Sequence, residues 1–213
     1  MTRILLLSPT DLDLPDDVVV SGVLDADTKI EHRRVAYPSC PPIGAHDWAL
    51  ADLAILTAGQ DAQSEGFQAV CLADFGDYGA NALRSVLDIP VVTAGRSSML
   101  YALTLGERFS VVSTDRDRVR AKKLVHDYGL DTRCAGIEPA ETDMARKDGP
   151  EIIILAGEAR QRMQPAGSAT LIDPVAVSLK IAESLIGLGL THSRHAYPAP
   201  QVRKAELIAA LSI

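Results

Sequence analysis

Long apolar runs and blocks of basic residues are both missing from this 213-residue chain. No stretch approaches the roughly 18 consecutive apolar residues that a membrane-spanning helix needs, so we expect no membrane segment. The apolar run at residues 3–7 is too short for the core of a secretory signal. The formal net charge is −7 with both signs mixed, which argues against a nucleic-acid partner.

Cysteine is scarce as well, with Cys40, Cys71 and Cys134 widely spaced along the chain. Their odd number and the lack of a Cys-x-x-Cys pair argue against both a disulfide framework and a zinc site. The five histidines and the carboxylates show no ligand spacing, so we predict no metal. Reduced thiols are typical of a reducing compartment, and we therefore expect a cytoplasmic protein.

Aromatic residues make up only 4% of the chain, although 47% of it is hydrophobic. A core of Ala, Leu, Val and Ile favours parallel strands covered by helices over a β-sandwich. Alternating strand and helix patterns predict an α/β fold with right-handed crossovers and a site at the carboxyl ends of the strands. The predicted strands are 3–7, 29–36, 68–73, 90–93, 108–112, 151–155 and 169–172, and the predicted helices are 47–63, 78–87, 97–105, 115–128 and 174–186.

The strand endings repeat along the chain. Residues 1–11 resemble 106–115, residues 69–74 resemble 152–158, and residues 88–93 with their helix resemble 169–186. Such a repeat predicts two similar Rossmann-like lobes with parallel sheets related by a pseudo-two-fold axis, with the site in the cleft between them. We assign residues 1–90 plus 173–190 to lobe 1, residues 91–172 to lobe 2 and residues 191–213 to a C-terminal tail.

The segment Val-Cys-Leu-Ala-Asp-Phe-Gly-Asp-Tyr-Gly at residues 70–79 resembles the first catalytic motif of hydantoin and allantoin racemases, where an apolar strand runs into Cys-Phe-Gly-Asp-Pro-Gly. The resemblance continues through residues 89–92, 109–114, 172–176 and 188–193, and so places the chain near the aspartate/glutamate–hydantoin racemase superfamily. It implies cofactor-independent proton transfer, in which two cysteines, one from each lobe, flank the α-carbon of the substrate. It also implies that homo-oligomers are common.

The chain departs from that pattern at the decisive positions. Asp74 stands where the first cysteine is expected. The second motif, Leu-Gly-Cys-Ala-Gly, aligns with residues 155–159, so that Gly157 takes the place of the second thiol and Glu158 is its neighbour. Because both cysteines are replaced, we do not expect two-thiol racemisation.

Two carboxylates are the candidates for catalysis. Asp74, at a strand end, is predicted to act as a general base, although it could instead cap the helix that follows. Glu158 could replace the second thiol as an acid, or it could lie in solvent at a helix start, where carboxylates are favoured. Asp77 is predicted to be the N-cap of the helix at 78–87.

Hydroxyl groups at the paired strand ends are candidates for binding a substrate carboxylate or oxyanion, but they could also form local turn hydrogen bonds. Arg96 could clamp a carboxylate, or it could form a surface ion pair. Glycine after a strand allows a ligand to approach the backbone closely. The predicted substrate-binding residues are Ser8, Thr10, Phe75, Gly76, Arg96, Ser113, Thr114 and Gly157.

The leading functional hypothesis is a cofactor-independent enzyme that moves a proton at a carbon α to a carbonyl, on a small carboxylated or hydantoin-like substrate. One base on one face suits isomerisation or decarboxylation better than two-face racemisation. A second hypothesis is a hydrolase, hydratase or lyase in which Asp74 activates water. A third is a binding protein without catalysis. In each case the partner is a small molecule, with a homo-oligomer as a further possibility.

Overall fold

The computed structural model describes residues 1–10, 12, 22–39, 41–114, 117–139, 151–157 and 169–211. Strands and helices alternate within these ranges. The strands are β1 (Thr2–Pro9), β2 (Thr28–Val35), β3 (Ala69–Leu72), β4 (Val91–Thr93), β5 (Phe109–Ser113), β6 (Cys134–Pro139), β7 (Ile152–Leu155) and β8 (Thr170–Ile172). The helices are α1 (Ala45–Gly59), α2 (Ala80–Val86), α3 (Ala94–Ala102), α4 (Arg118–Asp127), α5 (Pro174–Gly187) and α6 (Ala205–Leu211).

The strands form two parallel four-stranded sheets with the same connectivity. The first has the order β2-β1-β3-β4 and the second the order β6-β5-β7-β8. This confirms the predicted α/β fold with two similar lobes. Strand β4 begins at Val91 and lies in the first sheet, so that this sheet extends three residues past the lobe boundary that we placed at residue 90.

The continuous apolar run of β1 is explained by helices on both faces of its sheet. Successive side chains of a strand point to opposite faces. Leu5 and Leu7 pack in one cluster with Ile55 of α1, whereas Ile4 and Leu6 pack in another with α5. Burial of each such side chain contributes about 1.5–3 kcal/mol relative to its exposure, so β1 tolerates no polar alternation here.

Each lobe sends a helix across to the other. Helix α3 follows β4 of the first sheet, yet Met99 packs with Phe109 and Ile154 of the second. In the same way, α5 follows β8 of the second sheet, yet its Leu179 packs on the first. Phe75 also belongs to the second cluster. The carboxyl ends of the two sheets are therefore held against each other by shared packing.

Three of the differences from the predicted elements have local causes. Strand β6 was not predicted, because it is half-buried along most of its length and lacks an apolar run. Helix α3 begins at Ala94 rather than 97, because a carboxylate from another segment accepts hydrogen bonds at its first turn. Helix α2 begins at Ala80 rather than 78, directly after Gly79 in the left-handed region at φ 70°.

The C-terminal tail lies along lobe 1. The Arg194 guanidinium donates to the backbone oxygens of Arg84 and Ser85, at 2.8 and 3.0 Å, and Arg203 donates to the backbone oxygen of Gln60. The described part of the tail, residues 191–211, thus lies on the surface of lobe 1. In the described part of the chain, no helix combines the length and apolar character needed to cross a membrane.

Candidate active site

Asp74 follows β3 at the carboxyl end of the first sheet. Its Oδ1 accepts a 2.7 Å hydrogen bond from the Gly76 amide, and its Oδ2 accepts a 3.2 Å bond from the Tyr37 hydroxyl. Burial raises the pKa of Asp74 to about 7; the Gly76 hydrogen bond lowers it and the negative charge of Asp117 raises it. A base with a pKa near the working pH is what proton transfer at neutral pH requires. Because α2 begins only at Ala80, Asp74 does not cap it.

A second carboxylate, from the other lobe, lies within electrostatic range of Asp74. Asp117 is the N-cap residue of α4, four residues after the end of β5. The Thr114 hydroxyl donates a 2.8 Å hydrogen bond to Oδ2 of Asp117. The charge of Asp117 acts on both Asp74 and Tyr78. The sequence does not single out Asp117, because this residue stands in a charged segment outside the motifs that resemble the family.

Gly157 holds the position in the second lobe that Asp74 holds in the first. Asp74 lies two residues after the end of β3, and Gly157 lies two residues after the end of β7. The amide of the preceding residue donates to a backbone oxygen of the neighbouring central strand in both lobes: Ala73 to Leu7 at 2.9 Å and Ala156 to Val112 at 2.8 Å. Gly157 has φ 56°, and a Cβ there would lie 3.2 Å from Oδ2 of Asp117. Its neighbour Glu158 lies outside the described residues.

Aromatic and cationic groups close the space around Asp74. Burial raises the pKa of Tyr78, as does the charge of Asp74, so its hydroxyl remains a hydrogen-bond donor. A Cβ at Gly76 would come within 2.9 Å of the Tyr78 hydroxyl, which explains why no side chain stands there. Arg120 from α4 donates to the Gly76 carbonyl at 2.8 Å and stacks on Tyr78, and so links the two lobes at the site.

Asp77, three residues after Asp74, binds groups of α3 and the end of α4 rather than the helix that follows it. Its carboxylate accepts from the amides of Gly95 and Arg96, both at 2.8 Å, and from the Tyr128 hydroxyl at 2.7 Å. The expectation that Asp77 caps the helix after Tyr78 is therefore wrong, because it caps α3 from a distance. Its own φ of 54° is unusual for a non-glycine residue, and the three hydrogen bonds hold it there.

The model of the family described as Asp/Glu/Hydantoin racemase matches residues 31–176, which include Asp74, Asp117 and Gly157. The chain belongs to this family. It is accordingly an enzyme of the Asp/Glu racemase superfamily, with a carboxylate and a glycine at the two strand ends described above.

Individual relatives agree with this assignment. The chain is 29% identical over 204 residues to a hydantoin racemase from Rhizobium meliloti, covering 82% of this chain and 85% of the relative. It is 31% identical to a hydantoin racemase from Pseudomonas sp. (strain NS671), covering 70% of each. The solved structure of an allantoin racemase from Klebsiella pneumoniae superposes with a TM-score of 0.77 over 95% of each chain at 23% identity, which shows the shared fold.

The four predicted hydroxyls differ in what they contact. Thr114 binds the Asp117 carboxylate, as described above. Ser8 lies within β1 and its Oγ is 2.6 Å from Nε2 of His32. Ser113 is buried and donates to the Thr114 carbonyl at 3.3 Å, and Thr10 is exposed at the strand end, with its amide bound to Val35. Of the four, the structure brings Thr114 into contact with a carboxylate of the site.

Two other predicted binding residues have different surroundings. The Arg96 guanidinium stacks over Tyr128 at 5.4 Å and donates to the Tyr197 hydroxyl at 3.3 Å. It lines a cavity of about 610 Å³ between α3, α5 and the tail. Arg96 is not among the groups that shift the pKa of Asp74. Phe75 is buried in the apolar cluster of the second sheet, with Met99, so its side chain serves the core.

The described cysteines do not stand in for the family's thiols. Cys71 is buried inside β3, donates to the Ser178 carbonyl at 3.7 Å, and has its pKa raised by burial. Cys134 begins β6, and its pKa is also raised by burial. Cys40 lies outside the described residues. Among the described residues, no group of three or more His, Cys, Asp or Glu side chains has the arrangement of a metal site.

Proposed function

We propose that this enzyme transfers a proton at a carbon α to a carbonyl of a cyclic ureide or small carboxylated substrate, without a cofactor, and that Asp74 is the base. The observation that carries the proposal is the half-buried Asp74 carboxylate at a strand end, with a pKa of about 7. A cleft between lobes is where an α/β protein binds a small ligand.

The chemistry follows from the environment of Asp74. The carboxylate accepts the α-proton, and the electron pair of the broken C–H bond moves to the carbonyl oxygen, giving an enolate-like intermediate. A solvent-exposed aspartate would be too weak a base, but burial raises its affinity for the proton. The neutral hydroxyl of Tyr78 supplies a donor near the developing negative charge. Return of a proton from Asp74 to the same face completes exchange of the α-hydrogen with solvent, whereas delivery of a proton to the opposite face completes a racemisation.

The substrate class is inferred from the relatives. Two are hydantoin racemases and the compared structure is an allantoin racemase. Hydantoins and allantoin are cyclic ureides with a C–H bond next to a ring carbonyl, which is the bond that a base such as Asp74 can break. This favours a cyclic ureide over an open-chain acid.

Proton NMR in D₂O tests the proposal. Purified enzyme is incubated with 5-substituted hydantoins, allantoin and substituted malonates, and the α-proton signal is followed. We expect deuterium to replace the α-hydrogen of at least one cyclic ureide faster than in buffer alone. A parallel run in ¹⁸O-labelled water separates the rival chemistry: incorporation of the label into product, without α-deuterium, would show that Asp74 activates water and would overturn the proposal.

A further inference from the structure

We infer that Asp117 is a second catalytic residue, which transfers the proton on the face of the α-carbon opposite Asp74, so that the enzyme is a racemase with two carboxylates. The inference rests on the proposed function and extends it, because a single base on one face exchanges a proton without inverting the carbon.

The geometry of the two sheets carries this inference. Asp74 and Gly157 occupy equivalent strand ends, but Gly157 has no side chain to offer. The Asp117 Oδ2 lies 3.2 Å from the point where a Cβ of residue 157 would stand. A carboxylate at the start of α4 thus lies beside the position that a side chain of the second strand end would occupy, and its charge acts on Asp74 and Tyr78 of the first lobe.

The contacts of Asp117 suit a proton donor of fixed orientation. Its Oδ2 accepts from the Thr114 hydroxyl at 2.8 Å, and Thr114 is itself at the end of the central strand β5. The negative charge of Asp117 raises the pKa of Asp74, because two ionised carboxylates near each other repel. Two such groups favour holding one proton between them, which is the state that a two-base reaction needs.

The proton balance closes without a further reactant. Ionised Asp74 removes the α-proton from one face, and the C–H electron pair moves to the carbonyl oxygen. Protonated Asp117 then delivers its proton to the opposite face, as the electron pair returns to carbon. The product is the other enantiomer, with Asp74 protonated and Asp117 ionised. The same pair in this state performs the reverse reaction on the product enantiomer, and exchange with solvent resets it.

Enantiomer-resolved exchange tests the role of Asp117. Each enantiomer of a turned-over hydantoin is incubated separately in D₂O with the wild type or Asp117→Asn, and NMR measures α-deuterium while chiral chromatography measures inversion. We expect the racemisation rate of Asp117→Asn to be at least about 100-fold lower than that of the wild type, which is the usual cost of losing a positioned acid or base. It should still exchange the α-proton of one enantiomer only, with retention of configuration.

The controls separate this role from a structural one. Asp127→Asn removes an exposed carboxylate from the same helix and should racemise like the wild type, while Asp117→Glu should recover part of the inversion. Thr114→Val keeps the Asp117 carboxylate and should lower inversion more than exchange. Wild-type inversion by Asp117→Asn, or equal loss of exchange in both enantiomers, would overturn the inference. A wild type that exchanges neither enantiomer of any substrate would instead overturn the proposed function.

Discussion

The Tyr37 hydroxyl donates a 3.2 Å hydrogen bond to Oδ2 of Asp74. This bond stabilises the ionised carboxylate and so opposes the burial that raises the pKa of Asp74 to about 7. The pKa of Asp74 is therefore set by two opposing effects: removal from water favours the protonated form, and the hydrogen bonds from Gly76 and Tyr37 favour the ionised form. Changing either side of that balance should move the pH at which the enzyme works.

Tyr37→Phe should shift the acidic limb of the pH profile of kcat/KM to higher pH. Loss of the hydroxyl removes a hydrogen bond to the ionised form, so Asp74 holds its proton more tightly. A hydrogen bond to a charged group contributes about 1.5–3 kcal/mol, so kcat/KM at pH 6 should fall roughly tenfold while the plateau at high pH changes little. A profile displaced to lower pH would show that Tyr37 does not act on the base.

Asp74→Asn should stabilise the protein at alkaline pH. The pKa of Asp74 is about 7 in the folded state, above its usual value of 3.8. The stability contributed by the protonated folded form is therefore complete below pH 3.8 and is lost as the pH rises through 7. Asparagine has no such loss, so urea unfolding at pH 8 should give the variant a free energy of unfolding about 1–3 kcal/mol higher than that of the wild type. The two should agree at pH 4, and a less stable variant at pH 8 would contradict the raised pKa.

Asp77→Ala should destabilise the protein more than any change on the exposed face of α4. The variant leaves the amides of Gly95 and Arg96 and the Tyr128 hydroxyl without the acceptor that holds them. Buried groups that lose their partners cost about 1–3 kcal/mol each when they stay dry, so we expect a total loss of about 3–5 kcal/mol in urea unfolding. Tyr128→Phe, which removes one of the three bonds, should lose about 1 kcal/mol.

Periodicity and composition predicted most of the strands and the two-lobe arrangement, because apolar runs such as that of β1 and the repeated strand endings depend on local sequence, whereas β6 has no apolar run and was missed. The position of Asp74 was also predictable, since it lies within the motif at residues 70–79. The partners of that residue were not, because Tyr37 and Asp117 reach it through tertiary packing of different segments. Sequence spacing likewise could not show that Arg96 turns toward Tyr197.

Replacing cysteines should leave the chemistry intact. Cys134 lies at the start of β6 with a raised pKa, and Cys71 is buried in β3, so neither provides a thiolate at neutral pH. The double variant Cys40→Ser and Cys134→Ser should keep kcat within about twofold of the wild type, because the thiolate is the reactive form of cysteine and no step here needs one. A fall in kcat of about 100-fold or more, the usual cost of losing a positioned acid or base, would show that Cys40 or Cys134 takes part in the reaction.

Gly157→Ala should impair racemisation more than folding. A Cβ at residue 157 would lie 3.2 Å from Oδ2 of Asp117, so the carboxylate must shift. The backbone at residue 157 also has φ 56°, a conformation that a residue with a side chain rarely adopts. Strain of this kind costs about 1 kcal/mol of stability, whereas displacement of a proton donor by a fraction of an ångström slows transfer much more. Gly129→Ala is the matched control, since Gly129 has φ 68° with open space around it; equal effects of both substitutions on turnover would contradict the role given to Gly157.

The most direct test of the account is the rate of α-deuterium uptake by one cyclic ureide in wild type and Asp74→Asn, measured at pH 7.5 on proteins whose folding is checked by circular dichroism. We predict that the enantiomer whose α-proton faces Asp74 loses exchange by at least about 100-fold in the variant, because loss of a positioned base usually costs that much. Exchange of both enantiomers at the wild-type rate in Asp74→Asn would contradict this prediction, and would mean that the half-buried carboxylate at the end of β3 is not the base.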